Sequence, residues 1–286
     1  MNEKMNLTET RLILNKLGVI PNKSLGQNFL IDRNILIKMI NEAEISKEET
    51  VLEIGAGLGA LTTELEKKAK KVYAYEIDKI LYQYLKDKFS ISTNVEIINA
   101  DALKSDIPPH DKIVSNIPYT ITGPILEIFY YNGENSPVGI MIIENSLSKR
   151  ISDLKKYKNF SRIGVTFNAF MDLINKYQIS RNCFYPIPGI DLALIKIKPK
   201  TTLNSFLKEP IKRKFFIEFI AGITPYKNKT FSNSLKLFIK NKPSLALSKS
   251  EIIKFMKSNS ISDEKVFHKE IDELIATCEL LFEYTN

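Results

Sequence analysis

Val51-Leu52-Glu53-Ile54-Gly55-Ala56-Gly57-Leu58-Gly59 is the stretch on which the fold turns. A short, mostly apolar run ends at a glycine, and the leucines beyond it, Leu58, Leu61 and Leu65, fall in helical register. Strand, glycine turn and helix follow one another. Glycines at such a turn let the chain reverse tightly and let a ligand come close to the backbone at the carboxyl end of the strand. No Gly-Lys-Ser/Thr follows, so the loop is not a nucleoside-triphosphate phosphate cradle, and its third glycine comes too early for Gly-x-Gly-x-x-Gly.

Outward from this unit, Val72–Ile77, Val95–Ile98, Lys112–Val114 and Val138–Ile143 are further short β-branched runs separated by helical or turn-rich segments. Strands alternating with helices predict an α/β fold with a doubly wound, mostly parallel, Rossmann-like sheet. Val165–Phe170 and Leu192–Ile197, with no long crossover between them, bring the expected strands to seven. Two helices, 8–17 and 33–42, precede the sheet. After Pro199 the strand signal stops, and 211–223, 231–240, 249–257 and 263–283 all show helical spacing, with Ser248 and Glu251 as a capping-box pair. The expected division is 1–202 for the sheet domain with its N-terminal helices and 203–286 for a smaller all-helical domain.

Glu76 adds a second element to the glycine loop. It ends the second strand in Tyr73-Ala74-Tyr75-Glu76-Ile77-Asp78, where a carboxylate accepts from both hydroxyls of a ribose. Dinucleotide and S-adenosylmethionine sites share this arrangement, so loop and carboxylate together specify a nucleoside ligand and leave its identity open. Asp78 is placed as a helix N-cap. Asp101 follows the third strand, either accepting from an adenine amine or capping its own turn.

Composition excludes several chemistries. The 286 residues hold two cysteines, Cys183 and Cys278, and two histidines, His110 and His268, which argues against a disulfide framework, a zinc ribbon or a histidine-based triad. No metal is expected. No window has the run of apolar residues a membrane span needs, and Met1–Thr10 has no apolar core of a secretory signal, so a reducing, cytoplasmic setting and no membrane partner are expected. The formal net charge is +8, and of 41 basic residues only six are arginine. Between Lys200 and Lys257 thirteen basic residues face three acids, a surplus of +10, whereas the residues after Lys257 carry −5. A solvated helix face or a polyanion partner accounts for this clustering, and the sign suits a phosphate backbone.

After the fourth strand comes Ser115-Asn116-Ile117-Pro118-Tyr119, and upstream lies Ser24-Leu25-Gly26-Gln27-Asn28-Phe29-Leu30. Together with the glycine loop, these motifs resemble the ribosomal RNA adenine dimethyltransferase family, and the L-G-Q-N-F-L form resembles its small-subunit (KsgA-type) branch. The resemblance implies a class I fold binding S-adenosylmethionine, with Asn28, Leu30, Gly55, Gly57, Glu76, Ile77, Asp101, Ala102 and Asn116 at the cofactor. It implies a transfer of methyl groups to exocyclic amines of adenosines near the 3′ end of small-subunit rRNA during ribosome biogenesis. Small-subunit rRNA and its precursor particle become the expected partners, and the protein a monomer. Asn116, Ile117, Pro118, Tyr119 and Phe184 are the expected catalytic group, Phe184 belonging to a Phe184-Tyr185-Pro186-Ile187-Pro188 loop that matches the family's pattern.

The chemistry agrees with these residue types. An adenine amine is a poor nucleophile because its lone pair is delocalised, and acceptors aimed at its N–H groups favour a pyramidal nitrogen. The Asn116 side-chain oxygen and the Ile117 carbonyl are such acceptors, Pro118 stiffens the turn, and Tyr119 offers a face for an extruded base. Phe184 would complete a sandwich. The chain departs from the family at Ile143-Glu144-Asn145, Phe160-Ser161-Arg162, Gly189 and Lys227-Asn228-Lys229, most of them on surfaces expected to face RNA. Arg150, Lys155, Lys156, Lys158, Arg162, Lys227, Lys229 and Lys236 remain candidate phosphate contacts. An RNA-binding assembly factor with little turnover and a large-subunit rRNA methyltransferase stay open as alternatives.

Overall fold

The computed structural model describes residues 6–22, 25–132, 135–242, 245 and 247–285; Ser24 of the upstream motif lies outside them. The chain order is α1 (Leu7–Leu17), β1 (Phe29–Leu30), α2 (Arg33–Ala43), β2 (Thr50–Ile54), α3 (Ala60–Glu66), β3 (Lys71–Tyr75), α4 (Lys79–Lys88), β4 (Val95–Ile98) and β5 (Lys112–Asn116). Then follow α5 (Thr122–Asn132), β6 (Val138–Glu144), α6 (Asn145–Ser152), α7 (Arg162–Phe170), β7 (Met171–Ile179), β8 (Phe184–Tyr185) and β9 (Leu192–Pro199). The remainder is helical: α8 (Ser205–Lys208), α9 (Pro210–Ile223), α10 (Phe231–Lys240), α11 (Lys249–Ser258) and α12 (Ile271–Thr285).

Seven strands form one sheet in the order β4-β3-β2-β5-β6-β9-β7, and β1 pairs with β8 in a separate two-stranded ribbon. β2 to β6 are mutually parallel, and β9 runs antiparallel to β6. Neighbouring residues on a strand point to opposite faces, so Val51 and Leu52, both fully buried, show that helices cover both sides of the sheet. That explains why these strands read as continuous apolar runs.

One expected strand is a helix. Residues 165–170 form the end of α7, which starts at an N-cap Ser161 accepting from the Gly164 N–H, and the strand is the following β7. Gly164, Val165, Thr166, Phe167, Ala169 and Phe170 are all buried, so the helix is apolar nearly all round and has no polar stripe to give its period away. β7 escapes notice for the opposite reason, because it is an edge strand of mixed polarity.

By its contacts the chain forms two compact units. One comprises the residues up to Leu126, Pro137–Ser148 and Leu173–Lys198; the other comprises Glu127–Ser136, Lys149–Asp172 and everything from Pro199. The sequence-based division at 202/203 therefore misses two inserted segments that join the helical unit. Phenylalanines fill that unit. Phe215 and Phe219 of α9 meet Phe282 and Phe238 edge to face, with ring centroids 5.2 and 5.5 Å apart. Inside the unit, α12 starts at Ile271 rather than near 263, because Asp263 is used elsewhere: its carboxylate accepts from the Ser232 N–H and hydroxyl at the start of α10. α11 begins at the expected capping box, with Ser248 and Glu251 each accepting from the other's backbone N–H. Among the described residues no helix is long and apolar enough to cross a membrane, and no group of three or more His, Cys, Asp or Glu side chains is placed to hold a metal ion.

Candidate active site

From β2 the chain winds outward through β3 and β4; it then returns to β5, on the other side of β2, and winds the opposite way through β6. A crevice opens where the winding reverses, outside the carboxyl ends of β2 and β5. There lies a cavity of about 230 Å³, walled by 25–30, 53–58, 75–77 and 100–103 together with Asn116 and Pro118. All of these residues belong to the first unit.

The turn after β5 is held between two glycine loops. Gly55 has φ +80, and a Cβ there would stand 3.0 Å from the Pro118 ring; Gly26 has φ +64, and a Cβ there would stand 3.2 Å from the Tyr119 nitrogen. Both positions need the left-handed backbone that glycine adopts freely, and both need the missing side chain. Ser115 donates to the Ile54 carbonyl at 2.6 Å, which locks the end of β5 to β2.

Asn116 is fixed by the segment before β1. Its Nδ2 donates to the Asn28 carbonyl at 2.9 Å, an acceptor that admits only the amide nitrogen. Its Oδ1 is therefore turned away, and it is buried with no hydrogen-bond partner among the described residues. A buried amide oxygen without a donor is a costly arrangement unless a ligand supplies one. The Tyr119 hydroxyl is likewise buried without a partner, and burial raises its pKa. Asn28 itself donates to the Gly26 carbonyl, and Gln27 bridges from the Asn22 N–H to the Asp78 carboxylate, so the upstream motif is pinned over the cavity.

Glu76 lies just beyond β3, 5% exposed. Its two oxygens accept from the Gly57 N–H at 2.8 Å and the Asp78 N–H at 2.9 Å. Burial pushes its carboxyl up, while the bonds from Asp78 and Gly57 pull it back. A carboxylate offers roughly four acceptor positions, so these bonds do not exhaust it. Asp78 caps α4 as expected. Asp101 lines the cavity and also caps its own turn through the Leu103 N–H. Ile77, half-exposed, and Ala102, buried, line the same wall, as do Gly57 and Leu30.

Glu53 was not singled out from the sequence. It lines the cavity at 2% exposure, with the Thr62 hydroxyl donating to it at 2.6 Å. Burial pushes its carboxyl up to about 8; the Thr62 bond and Lys88 oppose this, and Glu76 adds to it. In a strand buried on both faces, nothing in the alternation marks one residue as facing a cavity.

Phe184 stands differently from the expectation. It pairs with Leu30 across the β1–β8 ribbon and is 1% exposed, within the apolar cluster against which Tyr119 also packs. The two aromatic side chains are brought together, but Phe184 offers no open face. Ile117 is fully buried and anchors the turn between Asn116 and Pro118, which line the cavity.

Several expected phosphate contacts, all in the second unit, are occupied. Lys227 donates to the carbonyls of Tyr157 and Phe160 and lies 4.2 Å above the Tyr157 ring, and burial lowers its pKa. Arg162 pairs with Glu127, and Lys156 with Asp153. Lys155, Lys158, Lys229 and Lys236 are exposed.

Comparison with known proteins agrees with this geometry. A family described as ribosomal RNA adenine dimethylase matches residues 20–275. A protein of Thermococcus onnurineus named probable ribosomal RNA small subunit methyltransferase A is 35% identical over 92% of this chain and 93% of its own length. One of Methanosarcina acetivorans with the same name is 36% identical over 79% of this chain and 81% of its own. A dimethyladenosine transferase from Plasmodium falciparum superposes with a TM-score of 0.75 at 21% identity, covering 90% of this chain and 98% of that one, which establishes the fold. The chain belongs to the ribosomal RNA adenine dimethylase family.

Proposed function

We propose that this chain is an S-adenosylmethionine-dependent rRNA adenine dimethyltransferase acting on adenosines near the 3′ end of small-subunit rRNA, as a cytoplasmic monomer that engages small-subunit precursors. The strongest support is Asn116, which lines the cavity and whose amide is oriented by the Asn28 carbonyl, leaving its oxygen buried and without a partner among the described residues. The names carried by its relatives agree with the reaction and the substrate.

The cavity suits the cofactor. Glu76 would hold the ribose diol, Asp101 the adenine amine, and Ile77 with Ala102 would flank the adenine. Gly55 and Gly57 would let the methionine end approach the backbone, beneath Asn28 and Leu30. Bound there, S-adenosylmethionine supplies an electrophilic sulfonium methyl. The chain's own part is placement. The Asn116 oxygen and the Ile117 carbonyl accept hydrogens from the adenine amine and direct its lone pair outward, and Pro118 keeps the turn stiff. Tyr119 stacks on the base, a contact worth ~1–3 kcal/mol. Phe184, packed in the apolar cluster on which Tyr119 rests, backs that ring from the core side. The exposed lysines of the helical unit attract the RNA backbone.

Incubation with labelled S-adenosylmethionine and undermethylated small subunits, followed by mass spectrometry of the nucleosides, tests this directly. Dimethyladenosine in small-subunit RNA from the wild type, and none from Asn116→Ala, is the expected result. Label only in large-subunit RNA would overturn the substrate, and no label would overturn the activity.

A further inference from the structure

Arg11 has no role in the site described above, yet it stands beside it. It lies on α1, whose Leu14 is buried against Phe29, Leu58 and Leu81, so the helix is seated on the cavity wall and the glycine loop. From there the Arg11 guanidinium carbon lies 5.0 Å from the centre of the Tyr185 ring. Tyr185 is the residue after Phe184 and pairs with Phe29, which lines the cavity. Arg11 is exposed, and among the described residues no carboxylate lies within ion-pair distance of it. Of the other cations over rings in this unit, Lys71 pairs with Glu96 and Lys88 donates to the Leu58 carbonyl, while Lys38 lies over Tyr177 and Lys86 over Tyr82.

A guanidinium drawn to an aromatic ring keeps its N–H fork available, and that fork receives a phosphate with two parallel hydrogen bonds. Its neighbours on the 184–188 loop reinforce the setting. Ile187 is 62% exposed, so an apolar surface for a nucleotide lies two residues beyond the ring that holds Arg11. We propose that Arg11 is a positioning residue that grips a backbone phosphate of the RNA beside the reacting adenosine. The proposal rests on the adenosine methyl-transfer reading above. It assigns α1 a part in substrate recognition that the basic helical unit alone does not supply.

The test compares wild type, Arg11→Ala, Arg11→Lys and, as a control for surface charge, Lys67→Ala, with undermethylated small subunits as substrate. Loss of a charge-assisted contact raises KM for the subunit about tenfold in Arg11→Ala, with kcat and the cofactor Kd within about twofold. The slope of log affinity against log salt falls by about 0.7–0.9. Arg11→Lys recovers the slope but only part of KM, because lysine restores the charge without the fork. Lys67→Ala changes neither. An unchanged KM and salt slope in Arg11→Ala would overturn the proposal. So would a loss of cofactor affinity and thermal stability equal to the loss of subunit affinity, which would make Arg11 a clamp for α1. If the wild type transfers no methyl group, the reaction reading fails, and the salt slope of subunit binding still decides Arg11.

Discussion

Asn116 has one polar end committed to the Asn28 carbonyl and the other buried without a partner among the described residues, so two variants at this position separate position from polarity. Asn116→Ala is expected to lower methyl transfer by about 10²-fold, as for loss of one preorganised polar group at a reacting centre. Asn116→Asp is expected to be equally poor, because a carboxylate cannot donate to Asn28; cofactor affinity, measured by calorimetry, stays within severalfold in both. Gly55→Ala fails at an earlier step. Its φ of +80 and the 3.0 Å approach to Pro118 cost about 1–2 kcal/mol of strain and displace the turn, so cofactor binding itself weakens. Glu53 makes a pH prediction. Its carboxyl keeps its proton to about pH 8 in the folded chain, against an ordinary value of 4.5. The stabilisation is therefore full below about pH 4.5 and is lost as pH rises towards 8, a change of a few kcal/mol. Glu53→Gln retains the Thr62 bond and flattens that decline. Urea denaturation of both proteins at pH 5 and pH 8 reads the difference, and parallel declines would mean that Glu53 is not the titrating group. His110, whose pKa burial lowers, contributes to both curves alike.

At the scale of elements, what holds a segment is often remote in sequence. α10 takes its N-terminal partner from Asp263, and Lys227 reaches back to two carbonyls near residue 160. Lys227→Met is expected to destabilise the protein by about 1–3 kcal/mol, through carbonyls left without a donor, and to leave the salt slope of RNA binding unchanged. Lys229→Met does the reverse: stability holds, and the slope falls by about 0.7–0.9. Denaturant unfolding and filter binding on the two variants distinguish a lysine that braces a loop from one that meets RNA. Helix α11 is the local counterpart. Ser248→Ala removes one half of its capping box and costs about 1 kcal/mol.

Across the whole molecule, elements governed by local rules were legible from sequence. The strand–glycine–helix unit, the parallel runs, the capping box at Ser248 and the N-cap at Asp78 follow from periodicity and turn chemistry over a few residues. The glycine loop, the carboxylate at Glu76 and the Asn116–Tyr119 turn could be placed because each stands at the end of a strand of the parallel sheet. Charge clustering identified a basic stretch but could not say which cations were free. That depended on Glu127, Asp153, Tyr157 and Phe160, partners up to 70 residues away in the chain. α7 was mistaken for a strand because burial on all sides erases the polar stripe that marks a helix. The cavity-facing position of Glu53, the closed packing of Phe184 and the seating of Arg11 over Tyr185 were likewise invisible, since each depends on contacts made only once distant segments are packed. Local hydrogen bonding and side-chain period thus determined from the sequence which elements form and what chemistry they carry. The tertiary structure alone decided which polar atoms are left without partners, because burial and partnership are properties of neighbours that the chain order does not contain.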